Sequence, residues 1–247
     1  VKNFLHFFFN APSLLQALLP GRTFTKHLWR QAQRAEFSWW KGIAETGYSS
    51  FTPEEFIAVG QRNWLLSQLA FLEHPLEYWT DKVVIEFGPG PAGFVEYLPA
   101  KQRIAIEPLI AQYRSVFPHL QHSTVEYYDC PAEEANGIEC GCADLAVCFN
   151  MLDHTYCPDQ VMKEIARSTK AGGELFFQLN VYRTTDELSR RAPEHAALHP
   201  SPFLLEEAIQ TIQRYGFDIL RQSCTEGTNP CGEYYFMCAA RKAECDY

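Results

Sequence analysis

Lys82-Val-Val-Ile-Glu86-Phe-Gly88-Pro-Gly90-Pro-Ala-Gly93 decides how this chain folds. Val83, Val84 and Ile85 are β-branched residues in a short apolar run, and a glycine-rich turn follows directly, as at the end of a buried strand. A helical stretch to about Leu98 is predicted after it. Gly88, Gly90 and Gly93 satisfy G-x-G-x-x-G between a strand and a helix, where glycines let the backbone turn sharply and come close to a ligand. The pattern alone serves nucleotide enzymes of several kinds, and it also suits a tight turn with no ligand. Glu86 interrupts an otherwise apolar strand. Once buried, its carboxylate needs partners, either an ammonium group or loop N–H donors.

Outward from this stretch, the pattern alternates. Arg103–Glu107 reads as a second strand, with a helix through Tyr113 and Val116 after it. Glu107 falls nineteen positions after Gly88, where an acid can accept hydrogen bonds from both ribose hydroxyls of an adenosine ligand. Further strands are predicted near Thr124–Tyr128, at Asp144–Phe149 and at Glu174–Gln178, with a helix around Gln160–Thr169 between the last two. Strands alternating with helices imply a parallel sheet covered on both faces. A helix from about Leu204 to Tyr215 precedes strands Phe217–Arg221 and Glu233–Ala239. Gly227, Asn229, Pro230 and Gly232 lie between these strands, so they form an antiparallel hairpin. Before Asp81 the periodicity is helical. Leu14, Leu15, Leu18 and Leu19 share a face and Pro20-Gly21 ends it. A basic, aromatic helix spans about Thr23 to Trp40, and another starts at Thr52-Pro53-Glu54-Glu55 and runs through Trp64, Leu65, Leu69 and Leu72. The expected fold class is thus α/β, with an N-terminal helical cap over residues 1–80 and a nucleotide-type domain over 81–247.

Composition narrows the function. The 247 residues are 47% apolar and 21% charged, which excludes a disordered, collagen-like or small disulfide-stapled protein. The net charge of −9 argues against nucleic acid as a partner, since that affinity comes largely from neutralising phosphates. The charge is uneven. Residues 1–41 carry six basic residues against Glu36 alone, a local +5 that leaves −14 for the rest. Arg22, Lys26, Arg30 and Arg34 form a stripe that is either a solvated face or a contact for an anionic substrate or surface. The apolar stretch Phe4–Leu19 is interrupted by His6, Asn10, Pro12, Ser13 and Gln16, too short and broken for a membrane span. It resembles a signal peptide only weakly, and at most a peripheral membrane contact is expected of it. Nine cysteines, an odd number, read as reduced thiols of a cytoplasmic protein, although Cys224 and Cys231 can face each other across the hairpin. Neither Cys140-x-Cys142 nor the seven-residue recurrence Cys224, Cys231, Cys238, Cys245 has metal-ligand spacing, so no metal is expected.

Six segments in order resemble the class I S-adenosylmethionine-dependent methyltransferases. Glu86-Phe-Gly88-Pro-Gly90-Pro-Ala-Gly93 is similar to that family's first motif, with the third glycine one place later. Glu107-Pro108-Leu109 resembles the ribose-binding acid and the residues that cover the adenine. Pro131-Ala132-Glu133 resembles the loop that reads the adenine edge, with Pro131 at a place where Asp is frequent, so the contact falls to the Ala132 backbone. Asp144 to Phe149-Asn150-Met-Leu-Asp-His154 resembles the fourth strand and its loop. Lys170-Ala-Gly172-Gly173 resembles the Lys-Pro-Gly-Gly turn before the fifth strand, and Tyr215-Gly216-Phe217 the C-terminal Gly-Phe turn. The resemblance covers about residues 80–241. It implies a Rossmann-like, mostly parallel sheet of seven strands whose last strand is antiparallel. It also implies S-adenosyl-L-methionine as cofactor, and contacts to it from Glu86, Phe87, Gly88, Pro89, Gly90, Glu107, Pro108, Leu109, Pro131, Ala132, Phe149 and Asn150.

The expected reaction is direct methyl transfer to a small-molecule acceptor, with a hydroxyl favoured. A hydroxyl needs a base, and the candidates are His154 after the fourth strand and His195 and His199 in the 181–203 insertion. Trp39, Trp40 and Tyr48 can line an acceptor pocket or simply pack in the cap. Two other readings stay open at this level: an NAD-dependent oxidoreductase using the glycine turn, and a methyltransferase-like binding module without catalysis.

Overall fold

The structure is a computed structural model and describes residues 26–191, 193–227 and 232–244. The leucine face at 14–19, the apolar stretch Phe4–Leu19, Arg22 and Cys231 lie outside the described residues. The helix predicted from Thr23 is described as α1, Lys26–Thr46, and it runs past the expected end at Trp40. It stops where Gly47 takes φ +78°, its N–H bonding the Ile43 carbonyl at 2.8 Å. Thr52 then caps α2 (Pro53–Glu55) with a full capping box shared with Glu55. A π-helical turn, Phe56–Gln61, leads from α2 into α3, Arg62–Leu69.

The sheet follows the predicted alternation. Strands β1 (Val83–Phe87), β2 (Gln102–Ile106), β3 (Glu126–Tyr128), β4 (Ala143–Phe149), β5 (Thr169–Tyr182), β6 (Phe203–Leu204), β7 (Phe217–Glu226) and β8 (Tyr234–Lys242) form one sheet. Its order is β3-β2-β1-β4-β5-β8-β7. The first five strands pair in parallel, while β8 is antiparallel to both β5 and β7. The path of seven strands and the terminal hairpin match expectation. The two-residue β6, which adds to β5 in parallel, was not expected and makes the strands eight. Helices α4 (Ile110–Val116), α5 (Pro158–Ser168), α6 (Thr185–Ser189), α7 (Pro193–Leu198) and α8 (Leu205–Arg214) complete the described elements. From β1 the chain runs outward to β2 and β3, then returns to β4 on the other side. That reversal leaves a crevice beyond the carboxyl ends of β1 and β4, where open α/β sheets bind ligands.

One predicted helix is absent. After Gly93 there is only the 3₁₀ turn Phe94–Glu96. Pro91 and Pro99 bracket the segment, and the Glu86 carboxylate accepts the Val95 N–H at 2.9 Å, which ties the chain to the strand end after a single turn. Another segment covers the exposed sheet face. Leu65, Leu69, Leu72 and Trp79 pack with Val84, Leu145, Val147 and Phe176, alternate residues of β1, β4 and β5. Ile85, Phe87, Ala146 and Cys148, the other alternates, face the opposite core with Val161 and Ile165 of α5. The boundary at residue 81 therefore divides the sequence pattern but not the core, because α3 belongs to the sheet's packing layer. Leu69→Ala should lower the unfolding free energy of the whole chain by about 2–4 kcal/mol in a denaturant titration. Unchanged unfolding of the sheet in that variant would show that α3 is an appended cap.

Candidate functional site

The glycine turn is shaped from within. A Cβ at Gly88 would fall 2.1 Å from the Met151 side chain, and one at Gly93 would meet Pro89 and Glu86 within 2.6 Å. These two glycines therefore serve close packing of the protein on itself. Gly90 differs: its φ is +60°, and a Cβ there would meet nothing nearer than the Trp40 indole at 3.7 Å. The Trp40 indole thus lies against the turn at Gly90 at ordinary contact distance, and the glycine there answers to its backbone angle.

Two buried carboxylates hold this turn. Glu86 takes the loop N–H alternative among its predicted partners, with Val95 and Phe94 as donors. Burial pushes its carboxyl up to about 8 against those two bonds. Glu107 accepts the Leu109 N–H at 2.9 Å through Oε1 and the Gly90 N–H at 3.0 Å through Oε2. Burial likewise pushes its carboxyl up to about 7. Each Glu107 oxygen spends one lone pair on the backbone and keeps another for a ribose hydroxyl, so the donor and acceptor chemistry fits an adenosine ligand. Phe87 is fully buried in the core beneath, so only its backbone is available to a ligand. Pro108 and Leu109 lie at the mouth of α4, and Pro131 leads into the 3₁₀ turn Ala132–Glu134. Glu133, next to them, accepts the Tyr156 and Cys157 N–H groups at 2.8 and 3.1 Å and binds the loops after β3 and β4 together. Phe149 packs on Trp64, Phe94 and Phe176, and Asn150 follows it in the left-handed region with φ +49°, its N–H on the Gln178 carbonyl at 2.9 Å.

The three candidate histidines converge. His154, in the loop after β4, has its ring 4.2 Å from that of His199, which in turn stacks on His195 at 4.0 Å. Three carboxylates surround them, none of them singled out from sequence. Asp153 is 2% exposed and its Oδ2 lies 2.6 Å from His199 Nδ1. Glu233 Oε1 lies 3.1 Å from His195 Nε2 and accepts the Tyr182 hydroxyl at 2.9 Å. Glu36 Oε2 stands 3.9 Å from His154 Nδ1, while its Oε1 accepts the Trp40 indole N–H at 2.8 Å. Burial pushes the Asp153 carboxyl up, but the two neighbouring imidazoles outweigh it and hold the group below its ordinary value, ionised. Burial, then His154, pushes the His199 imidazole down. Glu36 carried a signal, being the sole acid in the basic first 41 residues, and Asp153 sits directly before a singled-out histidine.

Helix α1 therefore closes the crevice with Glu36 and Trp40. Trp39 and Tyr48 are exposed and pack edge to face on each other, so of the three predicted pocket aromatics only Trp40 reaches the glycine turn. Arg30 and Arg34 are exposed on a different face of α1 from Glu36 and Trp40, given about 100° per residue. Lys26 pairs with Glu134 and pins the helix to the loop after β3.

Residues 85–177 match the family model of the methyltransferase domain. The chain carries a class I S-adenosylmethionine-dependent methyltransferase domain. The match removes the oxidoreductase reading of the glycine turn, and S-adenosylmethionine is the cofactor this family uses. No curated protein matches the chain in sequence. Solved structures match in fold at low identity. The Burkholderia thailandensis 1,6-didemethyltoxoflavin N1-methyltransferase, solved with that substrate and S-adenosylhomocysteine, is 14% identical with a TM-score of 0.60, over 92% of this chain and 94% of its own. The N-methyltransferase NodS of Bradyrhizobium japonicum WM9, solved with S-adenosylhomocysteine, is 14% identical with a TM-score of 0.60, over 88% and 99%. The [4+2]-cyclase SpnF is 18% identical with a TM-score of 0.58, over 74% and 81%. A cyclase on this fold means that the reaction must be argued from site residues.

The raised carboxyl of Glu107 gives a pH signature. A carboxyl that ionises at about 7 when folded and near 4.5 when unfolded costs stability as pH rises across that window. Comparing Glu107→Gln with the unaltered chain, the stability difference should shift toward the variant by about 1–3 kcal/mol between pH 4.5 and 7.5. The same variant should bind S-adenosylhomocysteine about 10-fold or more weakly by calorimetry. A pH-independent difference would mean that Glu107 is not buried as described.

Proposed function

We propose that the domain transfers a methyl group to a hydroxyl of a small molecule seated between α1 and the three histidines. The observation that carries this reading is the Asp153–His199 pair at 2.6 Å, with His154 and His195 against it and Glu36 of α1 standing between His154 and Trp40. The cofactor of this family supplies an electrophilic methyl group on sulfonium sulfur. Gly90, Glu107, Leu109 and the Pro131–Ala132 turn would hold its nucleoside, with Asn150 beside its amino-acid end. Phe87 contributes backbone alone, and Glu86 acts by fixing the 94–95 turn behind the glycine turn.

A hydroxyl is a poor nucleophile until its proton leaves, so a site for hydroxyls needs a proton acceptor or an equivalent. His199 answers that need: Asp153 fixes its tautomer, with Nδ1–H toward the carboxylate, and leaves the other nitrogen without the proton. An amine acceptor would need less of this apparatus. Glu36 and Trp40 exclude water from the crevice when α1 is seated. Small-molecule substrates are also the ones bound in the toxoflavin enzyme and in the Haemonchus contortus phosphoethanolamine N-methyltransferase, whose fold is 14% identical with a TM-score of 0.57.

A screen of hydroxyl, amine and thiol compounds with methyl-labelled cofactor tests the reading. His199→Ala should lower kcat about 10²–10⁴-fold on the accepted hydroxyl while leaving S-adenosylhomocysteine affinity within about twofold. Turnover of amines alone, or a full rate in the variant, would overturn it, and no turnover of any class would favour the binding-module reading. The double reversal Arg30→Glu with Arg34→Glu should leave KM for the acceptor unchanged, because both side chains stand off the face of α1 that meets the site. A raised KM would restore the basic stripe as an anion contact.

A further inference from the structure

We propose that Asp153, His154 and His199 form a binding site for one divalent metal ion on the acceptor side of the crevice. The inference rests on the hydroxyl reading above: with the ion bound, His199 serves as a ligand and the metal takes over from it the activation of the hydroxyl. One donor atom from each of the three residues lies within 4.8 Å of the other two. Around a first-row ion, nitrogen and oxygen ligands at about 2.0–2.2 Å stand roughly 3–4 Å apart, so the widest separation has to close by about 1–2 Å. Asp153 Oδ1 lies 4.0 Å from His154 Nε2. That oxygen is buried and has no hydrogen-bond partner, although its residue is 98% buried, being 2% exposed. A bare oxygen on a buried carboxylate is an unmet demand for a donor or a cation, and two imidazoles beside it complete a set of two histidines and one carboxylate.

The surroundings suit ligands more than a packed core. Metal-binding histidines are held by carboxylates on their far nitrogens. Here Glu36 stands on the Nδ1 side of His154, and the His199 ring is backed by His195, itself fixed by Glu233. The three residues come from two chain segments 45 positions apart, which is why no metal-ligand spacing shows in the sequence. Three protein ligands leave two or three positions of an ordinary coordination shell open. The acceptor class that fills them is a hydroxyl with a neighbouring oxygen donor, such as a vicinal diol, a catechol or an α-hydroxycarbonyl compound. A lone alcohol or an amine fits this arrangement less well.

The test is metal binding by the full chain, read without methyl transfer. Chelator-treated protein is titrated with Zn²⁺ by calorimetry and with Co²⁺ by visible absorption. The expected result is one ion per chain, with binding weakened at least about 100-fold in His154→Ala and in His199→Ala and unaltered in the exposed-residue control His122→Ala. Circular dichroism checks that each variant folds. Should either variant unfold, the Co²⁺ spectrum of the unaltered chain decides: nitrogen-ligated d–d bands support the site, and an aquo-ion spectrum overturns it. Absence of stoichiometric binding, or equal binding in the folded variants, also overturns it, leaving an ordered water as the partner of Asp153. A chelated protein that methylates hydroxyls at full rate sinks the metal and spares the hydroxyl reading. Stoichiometric metal with only amines methylated does the reverse.

Discussion

The grip of the Glu107 carboxylate on the Gly90 and Leu109 N–H groups is the contact on which the rest of the site depends. It joins the end of β2 to the turn after β1, and so fixes the floor of the crevice at the point where the strand order reverses. Glu86 does the matching work behind the turn. Both carboxyls are desolvated, and both are pushed above their ordinary values as a result. A chain selected for stability alone would place apolar residues there. Keeping an acid at Glu107 makes sense when a ligand's hydroxyls complete the solvation that burial removed, while Glu86 is met by the loop N–H groups it fixes.

Much of the fold was legible because its signals are local. Val83–Phe87 alternates its burial between two cores, and the turn after it is glycine-rich for steric reasons that any reader of the sequence can state. The helix that failed to form after Gly93 shows the limit of that reasoning. Its apolar spacing was adequate, but Pro99 ends the segment after one turn, and α3, from earlier in the chain, took the sheet face instead. Propensity lost to a tertiary contact that sequence spacing does not encode. The short β6 was missed for a similar reason, since two residues carry no periodicity.

The site divides the same way. Its cofactor side lies within a compact, ordered set of motifs from Glu86 to Asn150. The histidine cluster proposed as its acceptor side is assembled from Glu36, Asp153, His154, His195, His199 and Glu233, whose spacing follows no motif. The three histidines were visible as residue types with suitable chemistry. Their carboxylate partners were not, because pairing across 46 positions, as for Asp153 and His199, is a property of the folded chain alone. The likeness in fold to a cyclase fits that division, since one scaffold can carry different reactions.

That arrangement has a consequence for how the protein is made. Helix α1 leaves the ribosome early, yet Glu134, which anchors it through Lys26, lies 108 residues further on, and Glu233, which steadies His195, comes near the end of the described chain. The aromatic and apolar side of α1 finds its seat earlier, since Phe37 packs on Tyr113 and Trp29 on Tyr156. A nascent chain of this protein therefore exposes that surface until the parallel strands have been made. Truncation within the last hairpin would take β8 from beside β5 and its Phe236, Cys238 and Ala240 from the core, so the whole sheet depends on the last strand to be made.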